Sequence, residues 1–383
     1  MDKPTVQDIF HRFYPAYLDQ YSPSPVQANV AHNIMNCKTG AYGANVCVCE
    51  DCGFVQIHYN SCRNRCCPMC QAVPKEMWMD ARREDVLDAP YFHLVFTVPD
   101  ILNPVIYSNQ RLLYDALYHA ASSTISELTA DPKHLGAKVG YICILHTWGS
   151  EMNFHPHIHT ILLGGGLASN NQWKDNGENF FLPIRVISKM FRGKYLEELK
   201  RLWEEDKLVF QGTAEKFRNH YTFKELLDSC YGMDWIPHCK KTFNGAQTVI
   251  KYLGKYTHRI AVSNHRIVRM DDDTVTFLVK DYRNEGQWKE LTISGVEFVR
   301  RFLMHVPPRR FVRIRHYGLL CSRTKSQKLT LCRNLLGCKK YLSKLRDMEM
   351  PEILEHLYGI KVCVCKACGG HLGKPQMRMP LRC

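Results

Sequence analysis

Apolar residues recur at helical spacing near the start of the chain. Residues 1–35 are therefore predicted to form two helices, which Pro23 and Pro25 separate. The apolar face of the first helix comprises Val6, Ile9, Phe10, Phe13 and Tyr17. An amphipathic helix buries such a face, so both helices are expected to pack against a neighbouring part of the fold.

From residue 91 onward the pattern changes between strand alternation and helical spacing. Strands are predicted at 91–98, 140–148, 157–163 and 235–242, helices at 104–129, 185–206 and 213–231, and a three-stranded meander at 265–293. Ser294 is predicted to cap a helix over 296–304. Because only residues 149–156 separate two of the strands, these two are expected to pair as an antiparallel hairpin. The expected fold class is α+β, with a central antiparallel sheet flanked by helices.

The 18 cysteines are concentrated near the two ends of the sequence. Cys49-x2-Cys52 and Cys67-x2-Cys70, 14 residues apart, match the four-thiolate ribbon pattern for a structural zinc ion. Four further cysteines are candidates either for a second, interleaved zinc site or for free thiols: Cys37, Cys47, Cys62 and Cys66. Near the end of the sequence, Cys365 and Cys368 form half of a ribbon, and a third zinc site is possible there with Cys363, His371 or Cys383.

The formal net charge of +14 is concentrated in one segment. Residues 300–346 contain 14 Lys and Arg and no Asp or Glu. Such a segment predicts a polyanionic partner, most simply nucleic acid, although a solvated basic face is the alternative. The candidate contacts are Arg309, Arg310, Arg313 and Arg315, joined by Arg63 and Arg65 between the cysteines. No apolar run approaches the roughly 20 residues that cross a bilayer, so a soluble intracellular protein without a membrane partner is predicted.

His157 and His159 lie in a short apolar segment that ends in Gly164-Gly-Gly166. In a strand these two imidazoles share one face and lie about 7 Å apart along it, a spacing that allows them to share a metal ion. Surface histidines on an edge strand would give the same pattern.

Tyr252 and Tyr256 are four residues apart in a segment predicted to be helical, so both hydroxyls emerge on one face. Paired tyrosines of this kind more often serve packing. Next to a histidine-bearing hairpin a catalytic role is favoured instead, because a tyrosine hydroxyl can attack a phosphodiester that a metal ion polarises. Lys251, Lys255 and Arg259 are the candidate cations that would stabilise charge on the phosphate.

These motifs together resemble the HUH (His-hydrophobic-His) nucleases, and most closely the rolling-circle, two-tyrosine transposases of the insertion-sequence-91 type. The resemblance covers roughly residues 35–340 and rests on four stretches: Asn60–Gln71, His155–Gly166, Tyr252–Arg259 and Ile314–Leu319. It implies an N-terminal zinc-binding domain, a transposase domain, and attack by a tyrosine on single-stranded DNA at the element ends and target. The expected intermediate is a 5′-phosphotyrosine with a free 3′-hydroxyl, and the implied catalytic metal is Mg²⁺ or Mn²⁺.

The sequence departs from this family at three positions. Asn45 and Cys66 stand where histidine is frequent, which leaves the second zinc site undefined, and Ser150 stands in place of glutamine. The family commonly adds a third ligand to the catalytic metal. His146 is the first candidate, with Glu151 and His155 as alternatives. Gly254, between the tyrosines, fits the family pattern and would loosen the helix.

The sequence is accordingly divided into four segments. These are a helical and zinc-binding domain (1–85), a nuclease core (86–262), a β-meander with a basic DNA-binding region (263–346), and a cysteine-containing tail (347–383). The predicted function is a metal-dependent DNA nicking and joining transposase in the bacterial cytoplasm, associated with the nucleoid. A catalytically inactive zinc-dependent DNA-binding protein is the first alternative, and a metallohydrolase for small substrates is the second.

Overall fold

The computed structural model describes residues 3–177, 180, 182–235, 237–243, 249, 254, 260–281 and 286–378. In these ranges the helices are α1 (Val6–Gln20), α2 (Pro25–Met35), α3 (Ala72–Arg83), α4 (Asn103–Ser108), α5 (Gln110–Ala130), α6 (Ile184–Glu204), α7 (His220–Gly232), α8 (Gly295–Met304), α9 (Lys325–Leu336) and α10 (Met350–Tyr358). The strands are β1 (Ala44–Val48), β2 (Val55–Tyr59), β3 (Tyr91–Thr97), β4 (Lys138–Trp148), β5 (Phe154–Leu167), β6 (Trp173–Asp175), β7 (His238–Phe243), β8 (Ile267–Met270), β9 (Thr274–Asp281), β10 (Gln287–Ser294), β11 (Ile314–Gly318) and β12 (Gln376–Arg378). None of these helices is both long and apolar enough to cross a membrane.

The largest sheet has the strand order β11-β4-β5-β3-β7, with β6 added to the end of β5. Every pairing in it is antiparallel, and the predicted hairpin is present as β4 and β5, with His146 opposite His157. The predicted fold class, α+β with a central antiparallel sheet flanked by helices, is confirmed. Because β5 has a neighbour on each side, the His-x-His segment lies in the middle of the sheet and not on an edge strand.

Alternation along these strands divides the sheet into two faces. Phe96, Leu145 and Ile158 point to one face, where they belong to the same buried core as residues of α5, α6 and α7. Ile144 and Ile161 point to the other face, where a second core includes Met79 of α3 and residues of α9. The histidines of the strands lie on this second face, beyond the end of its apolar part.

Two predicted elements differ in detail from the structure. The helix predicted at 104–129 is divided at Asn109, whose side-chain amide donates to the carbonyl oxygens of Val105 and Val209 and so replaces helical bonds. The strand predicted at 235–242 begins only at 238, because the Trp235 indole is buried against α6 and α7 and donates to the carbonyl oxygen of Cys230.

The predicted helices of residues 1–35 and the predicted meander share one core. α1, α2 and α8 pack with β8 and β9, and this core also contains Ile260, Ala261 and Val262. Both N-terminal helices begin with a capping box, at Thr5 and Ser24. Ser294 caps α8 as predicted, because its hydroxyl accepts a hydrogen bond from the backbone amide of Glu297.

A third, small sheet has the order β12-β1-β2 and unites the two ends of the described chain. β12 pairs antiparallel with β1, so that Val46 lies opposite Gln376. The four sequence segments stay a prediction. The packing joins parts of the first and third segments in one core and parts of the first and fourth in one sheet.

Candidate metal centre

Three histidines of the central strands converge on one face of the large sheet. His157 and His159 lie on β5, and His146 lies on the neighbouring strand β4, directly opposite His157. Each offers one ring nitrogen, and the three nitrogens lie within 4.8 Å of one another. All three side chains are buried, at 3–8% exposure. Strand alternation and cross-strand register therefore assemble a candidate three-imidazole site, next to an irregularity in the β4–β5 pairing between His146 and Trp148.

The hydrogen bonds of these histidines define which nitrogens face one another. His157 Nδ1 donates to the carbonyl oxygen of His155 at 2.7 Å, so a neutral His157 presents a lone pair at Nε2. That Nε2 lies 3.0 Å from Nε2 of His159. Two ring nitrogens at this distance must have either a proton or a cation between them. A cation would be bound by the lone pairs of both rings.

His93 on β3 is part of this centre, although it was not predicted from the sequence. Its Nε2 lies 2.9 Å from Nδ1 of His159, and the two rings are stacked with centroids 5.1 Å apart. In the metal-binding tautomer, His159 carries its proton on Nδ1 and donates it to His93, which fixes the ring and leaves Nε2 available. The alternation of β3 places His93 on the correct face, but only the β3–β5 register brings it to His159.

Burial keeps the imidazoles of His157 and His159 neutral. It lowers the pKa of His157 to about 4 and that of His159 well below the usual value, where the neighbouring His146 contributes further. Since neutral imidazole is the form that binds metal, the donor set fits a divalent cation at neutral pH. His146 is also held in place by Trp148, whose ring stacks on it at a centroid distance of 4.4 Å.

Of the three candidates for a third ligand, only His146 belongs to this group of nitrogens. His155 points along the strand toward Asp100, with 3.2 Å between Nδ1 and Oδ1. Glu151 is exposed in the turn between the strands, where its carbonyl oxygen accepts from Arg301. Geometry therefore favours His146, and its role as a ligand stays a prediction.

The three histidines open into a cleft of about 910 Å³. Its lining combines the large sheet, the cysteine-rich segment and the meander. Among the described residues that line it, four are cationic and none is acidic. The cationic residues are Arg65, Lys75, Arg266 and Lys280.

The predicted tyrosine segment reaches this cleft through two described residues. Val249 is helical and buried in the core beneath the histidine face, and Gly254 is helical and lines the cleft. Gly254 packs directly on α3, because a Cβ atom built on it would lie only 1.9 Å from Sδ of Met79. The predicted catalytic residues Tyr252, Tyr256 and Lys255, with Lys251 and the predicted DNA contact Arg259, lie outside the described residues.

One cluster of four cysteines adjoins the cleft. It comprises Cys37, Cys62, Cys67 and Cys70, whose sulfur atoms lie within 4.8 Å of one another. The sulfurs of Cys62 and Cys70 are 3.8 Å apart, which equals the roughly 3.8 Å between thiolates that each lie 2.3 Å from a tetrahedral zinc ion. Hydrogen bonds from Cys37, Cys62 and Cys67 lower the pKa of the Cys70 thiol, whereas hydrogen bonds within the same cluster raise the pKa of Cys62 and Cys67.

A second cluster unites cysteines from the two ends of the sequence. Cys49 and Cys52 meet Cys365 and Cys368, with the sulfurs of Cys49 and Cys368 3.5 Å apart. The prediction that Cys49 and Cys52 share one ion with Cys67 and Cys70 is therefore wrong. The pairing of β12 with β1, together with the backbone bridge between Cys49 and Leu372, brings the later cysteines to the earlier ones.

Both halves of this second cluster have the same local geometry. In each, the second cysteine is followed by a glycine at positive φ, Gly53 at 72° and Gly369 at 79°. The amide of each glycine donates to the carbonyl oxygen of the first cysteine, at 3.1 and 3.0 Å. Glycine adopts this left-handed conformation without strain. The repeated Cys-x2-Cys-Gly pattern was thus a usable signal, since Gln71 follows Cys70 instead.

The remaining predicted zinc ligands that the structure describes lie outside both clusters. Cys47 is buried beside the second cluster, and Cys66 is buried beside the first. Cys66 lines the cleft, and the burial of its thiol raises the pKa. His371 pairs with Glu50, and Cys363 is exposed. Cys383 lies outside the described residues.

The predicted DNA-contacting arginines fall into two groups. Arg63, Arg309 and Arg310 are exposed. Arg65, Arg313 and Arg315 have partners within the fold: Arg65, although also exposed, donates to the carbonyl oxygen of Phe311 at 2.6 Å and lines the cleft. Arg315 pairs with Asp115 and lies over the Tyr118 ring at 4.0 Å. Arg313 is half-buried, and burial lowers the pKa of its guanidinium group.

The chain is similar to known transposases over most of its length. A family model described as "Putative transposase" (Y2_Tnp) matches residues 140–328, and one described as "Transposase zinc-binding domain" (Zn_Tnp_IS91) matches residues 9–98. The chain is 40% identical to "Putative transposase y4qJ" of Sinorhizobium fredii, over 95% of this chain and 93% of that protein. It is 29% identical to the transposase for insertion sequence element IS801 of Pseudomonas savastanoi, over 79% of this chain and 72% of that protein.

Among solved structures, the conjugative relaxase TrwC in complex with oriT DNA is similar in its metal-free and metal-bound forms. The identities are 12% and 13%, over 43% of this chain and 71% and 70% of the relaxase chains, each with a TM-score of 0.25.

Proposed function

Because the chain belongs to the family of insertion-sequence transposases that carry an IS91-type zinc-binding domain, we propose that it nicks and rejoins single-stranded DNA through a 5′-phosphotyrosine intermediate. The resemblance inferred from the motifs and the N-terminal zinc-binding domain are thereby confirmed. The observation that carries the proposal is the cleft itself. Three buried imidazoles and Gly254, the residue midway between the two tyrosines, line the same cavity, and its described lining residues include no acid.

The proposed nucleophile is the hydroxyl of Tyr252 or Tyr256. Its oxygen forms a bond to the scissile phosphorus while the bond from phosphorus to the neighbouring 3′-oxygen breaks. The tyrosine proton is released, and the departing 3′-oxygen takes up a proton to become a hydroxyl. One phosphodiester replaces another, so rejoining is the same exchange in reverse with a different 3′-hydroxyl and needs no ATP.

A tyrosine hydroxyl has an unperturbed pKa of about 10 and is mostly protonated at neutral pH. The surroundings must therefore stabilise charge on the phosphate. His146, His157 and His159 are the proposed ligands of Mg²⁺ or Mn²⁺, which when bound would polarise the phosphate oxygen. Lys255 and Arg259 are the proposed cations beside the tyrosines, and Arg65 and Lys280 are described cations of the cleft. Imidazole ligands alone also suit zinc, so the choice of ion is part of the test.

DNA is the proposed partner both in the nicking step and in the rejoining step. The absence of acidic side chains among the described lining residues supports a polyanionic occupant. The exposed residues Arg63, Arg309 and Arg310 are the proposed contacts outside the cleft.

The test is capture of a covalent protein–DNA adduct. Labelled single-stranded oligonucleotides that tile the DNA flanking the coding sequence are incubated with the protein and Mn²⁺ or Mg²⁺, then separated under denaturing conditions. We expect a labelled adduct that a His157→Ala/His159→Ala variant does not form. Tyr252→Phe and Tyr256→Phe are each expected to impair complete transposition, while one of them alone still permits the first nick.

Each alternative predicts a different outcome. Absence of an adduct in the presence of Mn²⁺, with DNA binding retained, would identify an inactive zinc-dependent DNA-binding protein. Cleavage that persists in the Tyr252→Phe/Tyr256→Phe double variant would identify a metallohydrolase without tyrosine chemistry. Tyr221→Phe is the matched control, because Tyr221 is an exposed tyrosine on α7 that does not line the cleft.

A further inference from the structure

One aromatic side chain of the cleft has no role in the chemistry proposed above. Trp288 lies on β10, an outer strand of the meander, and is 54% exposed. Nevertheless it lines the same cleft as the three histidines. Singly exposed apolar residues are common on protein surfaces. An exposed indole that also lines a cationic cleft is less common, and the residues around it indicate what it binds.

Two cations lie beside the Trp288 ring. Lys280, its cross-strand partner on β9, has Nζ 5.4 Å from the ring centroid. The Arg266 guanidinium carbon lies 5.7 Å from the same centroid. Both distances are within the range of cation–π attraction, which is strongest for tryptophan. Lys280 is exposed, so its ammonium group can also face a phosphate.

The position of this aromatic group is fixed relative to the histidine strand. Arg266 donates from Nε to the carbonyl oxygen of Leu278 at 2.6 Å and from Nη2 to the carbonyl oxygen of Ser150 at 2.5 Å. The backbone amide of Lys280 donates to the Ser150 hydroxyl at 2.5 Å. Ser150 belongs to the short connection between β4 and β5, which carry the histidines. The meander is therefore tied directly to the loop next to the candidate metal centre.

We propose that Trp288 is a base-stacking subsite for an unpaired DNA strand whose backbone passes through the histidine cleft, with Lys280 beside the adjacent phosphate. The inference rests on the proposed function, because it takes DNA as the occupant of the cleft. Stacking requires a base with a free face, and the bases of a duplex already stack on their neighbours. Arg266 acts as a positioning residue that holds the loop and the indole together.

The occupant is argued from charge and chemistry. Proteins that bind single strands combine a cationic groove with aromatic side chains on which bases stack. The four cations of the cleft, the absence of acids among its described lining residues and the exposed indole supply both parts. An apolar peptide would bring no negative charge to these four cationic side chains.

The test measures equilibrium binding of a fluorescein-labelled oligothymidylate by anisotropy. The Tyr252→Phe/Tyr256→Phe chain serves as the parent, so that no cleavage interferes. Trp288→Ala is expected to weaken binding about tenfold, and Trp288→Phe should retain most of the affinity. Tyr221→Ala, which removes an even more exposed aromatic ring away from the cleft, should bind like the parent.

An oligomer of abasic sites with the same number of phosphates separates stacking from charge. It should bind the parent more weakly than oligothymidylate does, and Trp288→Ala should weaken it no further. Equal affinity of Trp288→Ala and its parent for oligothymidylate would overturn the inference, and so would equal losses for both oligomers. Unchanged thermal unfolding midpoints verify that the variants are folded.

Adduct formation by the unmodified chain is measured in parallel. An adduct together with unchanged binding by Trp288→Ala would reject the stacking subsite and leave the proposed function intact. Loss of oligothymidylate binding by Trp288→Ala without any adduct in the unmodified chain would support the subsite and reject the nicking chemistry.

Discussion

Each of the two cysteine clusters offers four sulfur atoms, but the two clusters lie in very different surroundings. The first, Cys37, Cys62, Cys67 and Cys70, lies in the core formed by α1, α2, α8 and the meander, where Cys37 and Cys67 are fully buried. The second, around Cys49 and Cys365, has a small core of its own, and two of its four cysteines are exposed. Equal ligand chemistry therefore does not imply an equal contribution to the fold. Burial and the number of packed neighbours decide that contribution.

The first cluster is also connected to the candidate active site. Cys67 lines the cleft, and α3 begins two residues after Cys70. Through Met79, α3 contacts Gly254 of the predicted tyrosine helix. No comparable route leads from the second cluster to the cleft among the residues that the structure describes. The comparison predicts that damage to the two clusters will have unequal effects.

The largest effect is expected from Cys67→Ser. Structural zinc contributes roughly 10–16 kcal/mol of apparent binding free energy in small zinc domains, which rivals the 5–15 kcal/mol that stabilises a typical native protein. The variant should lose one zinc ion and the native packing of α1, α2 and the meander. Metal analysis and near-ultraviolet circular dichroism test this. A variant that loses zinc but keeps the parent's unfolding midpoint would show that the first cluster is dispensable.

Gly254→Ala tests the connection between α3 and the tyrosine helix. The added Cβ would lie 1.9 Å from Met79 Sδ, so either the buried Met79 side chain or the tyrosine helix must shift. A displacement near 1 Å at a reacting group reduces rates roughly 100-fold, and we expect adduct formation to fall by about 10- to 100-fold.

Adding Met79→Ala to this variant should restore part of the activity, because it removes the clashing sulfur. Gly193→Ala on α6 is the matched control, since no atom lies within 4 Å of its Cβ position. A double variant no more active than Gly254→Ala alone would argue against this contact as the cause.

A smaller effect is expected from Cys365→Ser/Cys368→Ser. Bound zinc should fall from two ions to one, while the large sheet and its core remain intact. We expect the unfolding midpoint to fall by only a few degrees, with new protease cleavage confined to the segment after α10. Mass spectrometry of the fragments locates the cuts, and cleavage within α1 or α2 would mean that the second cluster also supports the first core.

The smallest effect is expected from Cys47→Ser. Cys47 is buried next to the second cluster but does not belong to it. Zinc content should therefore stay at that of the parent, and stability should fall by about 1 kcal/mol, as is typical for a buried substitution without loss of a ligand. Loss of one zinc ion would identify Cys47 as a ligand after all.

The parts of the fold that could be predicted from the sequence are those that depend on patterns of residues close together in the chain. Alternation along 157–163 places His157 and His159 on one face, and the short connection to 140–148 brings His146 into reach. Cys-x2-Cys spacing predicts a zinc knuckle from four neighbouring residues. Ser294 as a helix cap is equally local.

Partners across long sequence distances could not be predicted in this way. The pairing of Cys52 with Cys365 depends on β12 joining β1 after more than 300 intervening residues. The 14-residue spacing between Cys52 and Cys67 instead favoured a ribbon that does not form. Likewise, His93 reaches His159 only through the β3–β5 register, which no single segment determines.

The long sequence distance between the two cysteine pairs of the second cluster also affects how this cluster forms during translation. Cys52 and Cys365 are 313 residues apart, so at 5–20 residues per second the ribosome adds the later one about 15 to 60 s after the earlier one. The ligands of the first cluster span only residues 37–70 and are all present early in translation. The nascent chain therefore carries a two-thiolate half-site during almost the whole of its elongation, and the second zinc ion is enclosed only when the late segment has been made.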